Sequence, residues 1–96
     1  MYAVVRQYSG SGASEVFEAI EGKKEEVKNL LRAVSGLISY SLIRTAEGGM
    51  SVTVCKDKTG TDESVRIASE WIKVNVNASV NPPAISEGTT IVQINS

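Results

Sequence analysis

The order of hydrophobic patterns along this 96-residue chain restricts its fold more than any other feature of the sequence. Two stretches carry apolar residues at the spacing of an amphipathic helix, residues 14–34 and 61–76. Apolar residues alternate with others, as in half-buried β-strands, over residues 2–8, 37–45, 50–56 and 89–95. The sequence therefore predicts the element order β-α-β-β-α-β.

This order is typical of an α+β architecture, the ferredoxin-like fold, in which a four-stranded antiparallel sheet carries two helices on one face. A chain of 96 residues builds one hydrophobic core and not two, so residues 1–96 are predicted to form a single ferredoxin-like domain. The other face of the sheet is then left uncovered by the chain itself.

The first helical stretch is interrupted by one polar turn. Ser14 is its predicted N-cap. Within residues 21–26, Lys23 and Lys24 stand where the helical spacing requires apolar side chains. Three interpretations fit this pattern: a kink at Gly22, a turn that overhangs the sheet, or a pocket lined by lysine.

The second helix is predicted to begin at an N-cap formed by Thr61 or Asp62. Its apolar residues cover more of the helical wheel than contact with one sheet requires. We therefore expect the part of this helix around Trp71 to contact something besides the sheet.

Residues 46–49 join the second and third strands in a predicted hairpin. A loop of three or five residues places Leu42 opposite Val54 and Ser41 opposite Cys55, so that each face carries one kind of side chain. The uncovered face then carries Ser39, Ser41, Ile43, Ser51, Thr53 and Cys55. Such a face is too apolar to be exposed to water and too polar for a core that excludes water. Pairing of two copies of the chain would bury it, so we predict a homodimer.

The residues that the chain lacks exclude several classes of chemistry. Its 10 Lys and Arg against 11 Asp and Glu give a net charge of −1, which favours neither nucleic acid nor an anionic membrane as a partner. The absence of histidine excludes Ser-His-Asp triads and imidazole-ligated zinc or haem. One cysteine and no long apolar run predict a cytoplasmic protein without a membrane span, and we expect no metal or other cofactor.

Two short motifs have both a functional and a structural interpretation. Residues 57–61, Asp-Lys-Thr-Gly-Thr, match the phosphorylation signature of P-type cation pumps, but the chain lacks the long membrane-spanning context of those proteins. Residues 10–14, Gly-Ser-Gly-Ala-Ser, precede a helix as anion-binding loops do, yet they lack the third glycine of a dinucleotide site and the lysine of a P-loop. We interpret both as turns. Cys55 is predicted to be a small buried apolar residue.

Residues 36–42, with the sequence Gly-Leu-Ile-Ser-Tyr-Ser-Leu, resemble the strand entry of the dimeric α+β barrel superfamily, in particular the antibiotic biosynthesis monooxygenases. The element order and the chain length are similar too. The resemblance implies a dimer whose two sheets close into a barrel, with a pocket between sheet and helices in each subunit. Some members oxidise polycyclic aromatic compounds with oxygen and without metal or flavin, and others degrade haem. Here residues 55–58 replace a tryptophan often found after the third strand, and no histidine is present to bind haem.

Four side chains are the candidates for binding a ligand in such a pocket: Tyr40, Arg44, Tyr8 and Arg6. Each pair shares one face of a strand and offers a hydroxyl and a guanidinium to an aromatic or carboxylate-bearing ligand. Alternatively, Tyr40 packs under a helix while Arg44 reaches solvent. The sequence thus predicts a module that binds a small aromatic organic molecule, or has an accessory role, without a metal cofactor. The alternative is a cofactor-independent monooxygenase acting on an aromatic, polyketide-like substrate.

Overall fold

Seven elements make up the fold in the computed structural model, which describes residues 1–96. In chain order they are β1 (Tyr2–Ser9), α1 (Ala13–Gly22), α2 (Lys24–Arg32), β2 (Leu37–Thr45), β3 (Gly48–Cys55), α3 (Lys58–Asn75) and β4 (Ala84–Thr89). The strands form one antiparallel sheet in the order β2-β3-β1-β4, and the helices pack on one face of it. The ferredoxin-like α+β fold predicted from the sequence is confirmed.

The first helical stretch divides into α1 and α2 directly after Gly22, as one of the three interpretations required. Lys23 interrupts the helix with φ −135° and ψ 39°, and its ammonium donates a hydrogen bond of 2.8 Å to the Asn75 side chain at the end of α3. The N-cap predicted at Ser14 is wrong, because α1 begins at Ala13 and its N-cap is Gly12. Gly12, in the left-handed conformation with φ 80°, precedes the first turn and accepts a hydrogen bond from the Val16 amide.

Helix α3 begins earlier than the sequence predicts, and Asp57 is its N-cap instead of Thr61 or Asp62. The Asp57 carboxylate accepts a hydrogen bond from the Gly60 amide at 3.3 Å. Thr61 is buried and its hydroxyl donates to the carbonyl of Lys58 at 3.0 Å. The motif at residues 57–61 is therefore a strand-to-helix turn in which the aspartate stabilises the first turn of α3.

The hairpin between β2 and β3 has a two-residue loop, Ala46 and Glu47, so the prediction of an odd-length loop is wrong. Leu42 lies opposite Ser51, and Ser41 opposite Val52. The physical reason is that the next two glycines belong to β3 and not to the turn. A Cβ atom added to Gly48 would lie 2.6 Å from the Cβ atom of Ala13, and one added to Gly49 would lie 2.5 Å from the Phe17 ring. These glycines allow α1 to lie close against the sheet.

The corrected register exchanges the two faces of β3. Its polar side chains, Ser51 and Thr53, point towards the helices together with Cys55, and all three are buried. The uncovered face instead carries the alternate residues of three neighbouring strands: Ala3, Val5, Gln7, Ser39, Ser41, Ile43, Met50, Val52 and Val54. We call this set the open face. It is more apolar than the sequence predicts, because three residues of β3 supply methionine and valine in place of serine, threonine and cysteine.

The fourth strand is Ala84–Thr89, not residues 89–95 as predicted. It pairs with β1, and the register places Thr89 opposite Tyr2. One further hydrogen bond follows that pair, from the Thr90 amide to the Met1 carbonyl at 3.0 Å. The alternating residues 91–95 thus have no strand to pair with. No helix in this fold is long and apolar enough to span a bilayer.

Two buried clusters fill the space between the helices and the sheet. One lies beneath α2 and α3 and consists of Val27, Leu31, Val34, Cys55 and Trp71. The other lies beneath α1 and consists of Tyr8, Ala13, Val16 and Phe17. The indole N–H of Trp71 donates a hydrogen bond of 2.6 Å to the Glu26 carboxylate of α2. This contact confirms the expectation that α3 packs against more than the sheet around Trp71.

Candidate functional site

A cavity of about 290 Å³ lies between the α1–α2 break and strand β2. Apolar side chains form its walls: Phe17, Ile20, Val27 and Leu42, with the ring of Tyr40. Its rim is charged and consists of Glu21, Lys24, Lys28 and Arg44. Because the chain changes direction at Lys23, the polar turn that interrupts the helical pattern lies beside this opening. The kink is therefore observed, and of the two lysines in the pattern Lys24 lines the cavity whereas Lys23 bonds Asn75 instead.

A smaller void of about 20 Å³ lies deeper, between all three helices and strands β1 and β2. The outer cavity and the void share five lining residues, Phe17, Ile20, Val27, Tyr40 and Leu42. The void has room for about one water molecule. Arg6 and Tyr8 line only this inner part, which we call the floor of the cavity.

Arg6 is the most unusual group of the floor, since it is a guanidinium only 3% exposed to solvent. Its Nε donates to the Ser51 hydroxyl at 3.3 Å, and one terminal nitrogen donates to the Tyr8 hydroxyl at 3.1 Å. Its central carbon lies 5.7 Å from the centroid of the Tyr8 ring, within range of a cation–π interaction. These partners are neutral, so the positive charge of Arg6 is solvated by dipoles and a ring and not by a carboxylate.

The two tyrosines next to Arg6 are held in the neutral form. Burial raises the pKa of the Tyr8 hydroxyl, and the nearby charge of Arg6 only partly opposes this. Burial raises the pKa of Tyr40 in the same way, against the lowering effect of Arg6 and Ser51. Near neutral pH both hydroxyls therefore keep their hydrogen and are suited to donate it to an acceptor.

The rim is held together by one ion pair across the opening. Arg44 donates to the Glu21 carboxylate at 2.8 Å, and this contact lowers the pKa of Glu21. Both side chains are about half exposed, so solvent screens the pair and it adds little to the stability of the fold. Glu21 is ionised and paired with Arg44, and it is the single carboxylate that lines the cavity or its floor.

The structure brings the four candidate residues of the sequence to two neighbouring spaces that share five lining residues. Tyr40 and Arg44 line the outer cavity, while Arg6, Tyr8 and the same Tyr40 line the floor. For the β2 pair the structure agrees with the alternative interpretation, because Tyr40 packs under the helices and Arg44 reaches solvent at the rim; ligand binding by the pair stays a prediction.

Sequence reasoning missed Ser51 and Lys28 as site residues. Ser51 was placed on the wrong face by the wrong hairpin register. Lys28 follows Lys24 by one helical turn, so both line the rim, and that spacing was a readable signal.

The remaining candidates of the sequence lie outside this space. Cys55 is fully buried, and burial together with the charge of Asp57 raises the pKa of its thiol. In the loop at residues 10–14, the Ala13 amide donates to the Gly10 carbonyl and the Ser11 carbonyl accepts from Asn81. No group of three or more His, Cys, Asp or Glu side chains comes close enough together to hold a metal ion.

Comparison with known proteins identifies the fold. No protein-family description and no curated sequence matches the chain. Among solved structures, a protein of unknown function from Nitrosomonas europaea superposes with a TM-score of 0.71 at 15% identity, over 99% of this chain and 92% of that one. A monooxygenase from Streptomyces coelicolor, in complex with the ligand nanaomycin D, superposes with a TM-score of 0.62 at 17% identity, over 99% and 90% of the two chains.

A third similar structure is a dimeric ferredoxin-like protein from an uncultured marine organism, with a TM-score of 0.61 and 11% identity over 99% of this chain and 96% of that one. At such low identities the likeness concerns the fold and not the activity. The chain therefore has the ferredoxin-like α+β fold seen in the antibiotic biosynthesis monooxygenases and their uncharacterised structural relatives.

Proposed function

We propose that this protein binds a small aromatic organic molecule in the cavity between its helices and sheet, and that it acts as a homodimer without a metal cofactor. The observation that supports this most directly is the composition of the cavity. Its walls are apolar and include two aromatic rings, Phe17 and Tyr40, while polar groups converge only at the rim and the floor. This is the usual composition of a site for an organic ligand.

The size of the cavity limits the ligand to a compact molecule. Ligand sites usually have volumes of about 300 to 1000 Å³, and this cavity of about 290 Å³ lies at the lower end of that range. Flat fused rings suit the gap between a sheet and the helices above it. A structural relative from Streptomyces coelicolor holds nanaomycin D, which supports an aromatic ligand here by analogy of fold.

The homodimer is supported by the open face of the sheet. The half-buried Val5 and Val52 lie side by side on adjacent strands, with Ile43 and Met50 further along the same face, and Ile43 is 44% exposed. Contiguous apolar side chains on one sheet face are typical of a protein–protein interface. A structural relative of the same fold is dimeric, which supports a second copy of the chain as the partner.

A second candidate function is oxygenation of the bound molecule without a cofactor. In such a reaction the substrate supplies the electrons, one oxygen atom enters the product and the other leaves as water. The fold shared with a monooxygenase and the polar floor of Arg6, Tyr8 and Tyr40 support this candidate. Against it, Glu21 is in an ion pair and both tyrosines are neutral, so no free proton acceptor lies in the cavity. We therefore place binding before catalysis.

A titration with naphthalene derivatives tests the proposed function, since they are small enough for the cavity. We expect saturable binding by isothermal calorimetry, and we expect Leu42→Trp, which fills the cavity, to abolish it. Ser14→Ala, on the exposed surface of α1, serves as the control variant. The absence of saturable binding by any flat aromatic compound up to millimolar concentration would contradict the proposal. Oxygen uptake measured with each bound compound separates binding from oxygenation.

A further inference from the structure

Arg6 is a buried cation without a counter-ion. Its side chain is 3% exposed, yet none of the six ion pairs of the protein includes it. Transfer of a charged group from water to the protein interior is costly unless an opposite charge accompanies it. A fold that gained nothing from this charge would be more stable with an apolar side chain at position 6. The unpaired guanidinium therefore points to a negative charge that is supplied from outside the chain.

The Arg6 guanidinium also has N–H groups that are not hydrogen-bonded to the protein. It carries five N–H groups, of which one is bonded to Ser51 and one to Tyr8. The Tyr40 hydroxyl is a third hydrogen-bonding neighbour of Arg6, so two N–H groups remain for a further acceptor, and Arg6 borders the inner void. Tyr8 accepts from Arg6 through its oxygen, so its own hydrogen remains available to a further acceptor. The floor therefore offers donors and an uncompensated charge.

The charge of the whole cavity has the same sign as Arg6. Arg6, Lys24, Lys28 and Arg44 line the floor and rim, against the single carboxylate of Glu21. This excess of positive charge stands out because the protein as a whole has a net charge of −1. Clustering of cations around an apolar space favours an amphipathic anion over a neutral ligand.

We propose that the ligand of this cavity is an aromatic compound with an ionised oxygen, a carboxylate or a phenolate, and that Arg6 is the residue that binds this oxygen. This inference rests on the proposed function and specifies its ligand class. The rings lie against Phe17 and Leu42, and the oxyanion enters the inner void. That void, with a volume of about 20 Å³, takes about one oxygen-sized group. There the oxygen accepts from the free N–H groups of Arg6 and from the Tyr8 hydroxyl.

The experiment compares two probes of nearly equal shape, 2-naphthoate and the neutral 2-naphthamide, by isothermal calorimetry at pH 7 and constant ionic strength. The protein variants are Arg6→Met, which removes the charge, and Arg6→Lys, which keeps the charge but loses the planar fork of donors. Arg32→Met is the control, because it changes the net charge of the protein by the same amount as Arg6→Met. Arg32 is exposed on α2 and lies outside the cavity.

We expect the wild-type protein to bind 2-naphthoate at least about tenfold more tightly than 2-naphthamide. This ratio corresponds to the free energy that a hydrogen bond to a charged group usually contributes. Arg6→Met loses this preference, Arg6→Lys keeps part of it, and Arg32→Met keeps all of it. Because Arg6 has no counter-ion, Arg6→Met also unfolds at a urea concentration no lower than that of the wild type, whereas a merely structural arginine would make this variant unstable.

Three results would overturn the inference. Equal affinity for both probes would leave the proposed function intact and remove the anion from it. A preference for 2-naphthoate that survives in Arg6→Met would assign the anion to the lysines of the rim. A clear loss of stability in Arg6→Met, with Arg6→Lys restoring stability but no preference, would make Arg6 a structural residue. Binding of neither probe is the outcome that contradicts the proposed function itself.

Discussion

The strand register places a set of apolar side chains on the open face, and a substitution there tests whether this face forms the dimer interface. Val52 lies at its centre, opposite Ser41 on one side and Val5 on the other. We expect Val52→Lys to weaken the dimer strongly while the monomer keeps its fold. In an isologous dimer the substitution occurs twice in one interface, so each loss counts twice.

The magnitude follows from the burial of Val52. Burying a valine fully is worth about 1.5 to 3 kcal/mol, and Val52 is already half-buried in the single chain, so we take the lower figure. Two copies then lose about 3 kcal/mol, which weakens the dimer by a factor of about 100 before repulsion between the two lysines is counted. Lysine costs little in the separated monomer, because its ammonium reaches solvent on the open face.

Sedimentation velocity over a series of protein concentrations measures this change, and far-UV circular dichroism confirms that the variant is folded. Ser14→Lys is the matched control, since it adds the same charge on the exposed side of α1. A wild-type protein that is monomeric at tens of micromolar would refute the homodimer. A Val52→Lys dimer as tight as the wild type would instead show that the interface lies elsewhere and that the open face has another role.

Three further predictions concern the packing and the titration of the monomer. Gly12→Ala should lower the free energy of unfolding by about 1 to 3 kcal/mol, because Gly12 has φ 80° and a Cβ atom there would clash with the backbone of a neighbouring loop. Gly22 has open space around it, so Gly22→Ala should raise the free energy of unfolding by up to about 1 kcal/mol. Urea denaturation measures both changes. Tyr8 and Tyr40 should ionise above the ordinary tyrosine value of about 10 in the folded protein and near it in urea, as read by ultraviolet absorbance. Their contribution to stability is therefore complete below pH 10 and is lost as the pH rises towards the folded pKa values; a normal titration in the folded state would contradict the burial described. Cys55, fully buried and with a raised pKa, should react with a thiol reagent only as fast as the protein opens; rapid labelling of the native protein would contradict its position in the core.

The parts of the fold that were predictable are those decided within one stretch of sequence. Strand β2 was predicted with its observed bounds, and β1 to within one residue at its end, because each has its own alternating pattern. The position of β4 was not predictable in this way. Residues 91–95 have the better strand composition, yet it is residues 84–89 that pair with β1. A strand needs a neighbour, and pairing across the whole chain outweighs local propensity.

The error in the hairpin and the composition of the site have one physical origin. The sequence pattern favours an odd-length loop because such a loop collects the small polar side chains of β2 and β3 on one face and gives the helices an apolar partner. The structure instead turns Ser51 and Thr53 inward, where Ser51 accepts a hydrogen bond from the buried Arg6. A core formed only to be stable would not need these polar groups, since apolar side chains pack there at lower cost. Departures from a consistent pattern are expected where function requires them, and here Ser51 bonds the arginine that lines the floor of the cavity. Ser51 of β3 thus helps to hold Arg6, and Arg6 in turn adds a positive charge at the floor of the apolar cavity. The double variant Arg6→Met with Ser51→Val should therefore unfold at a higher urea concentration than the wild type, because it removes both the buried charge and the buried Ser51 hydroxyl that bonds it.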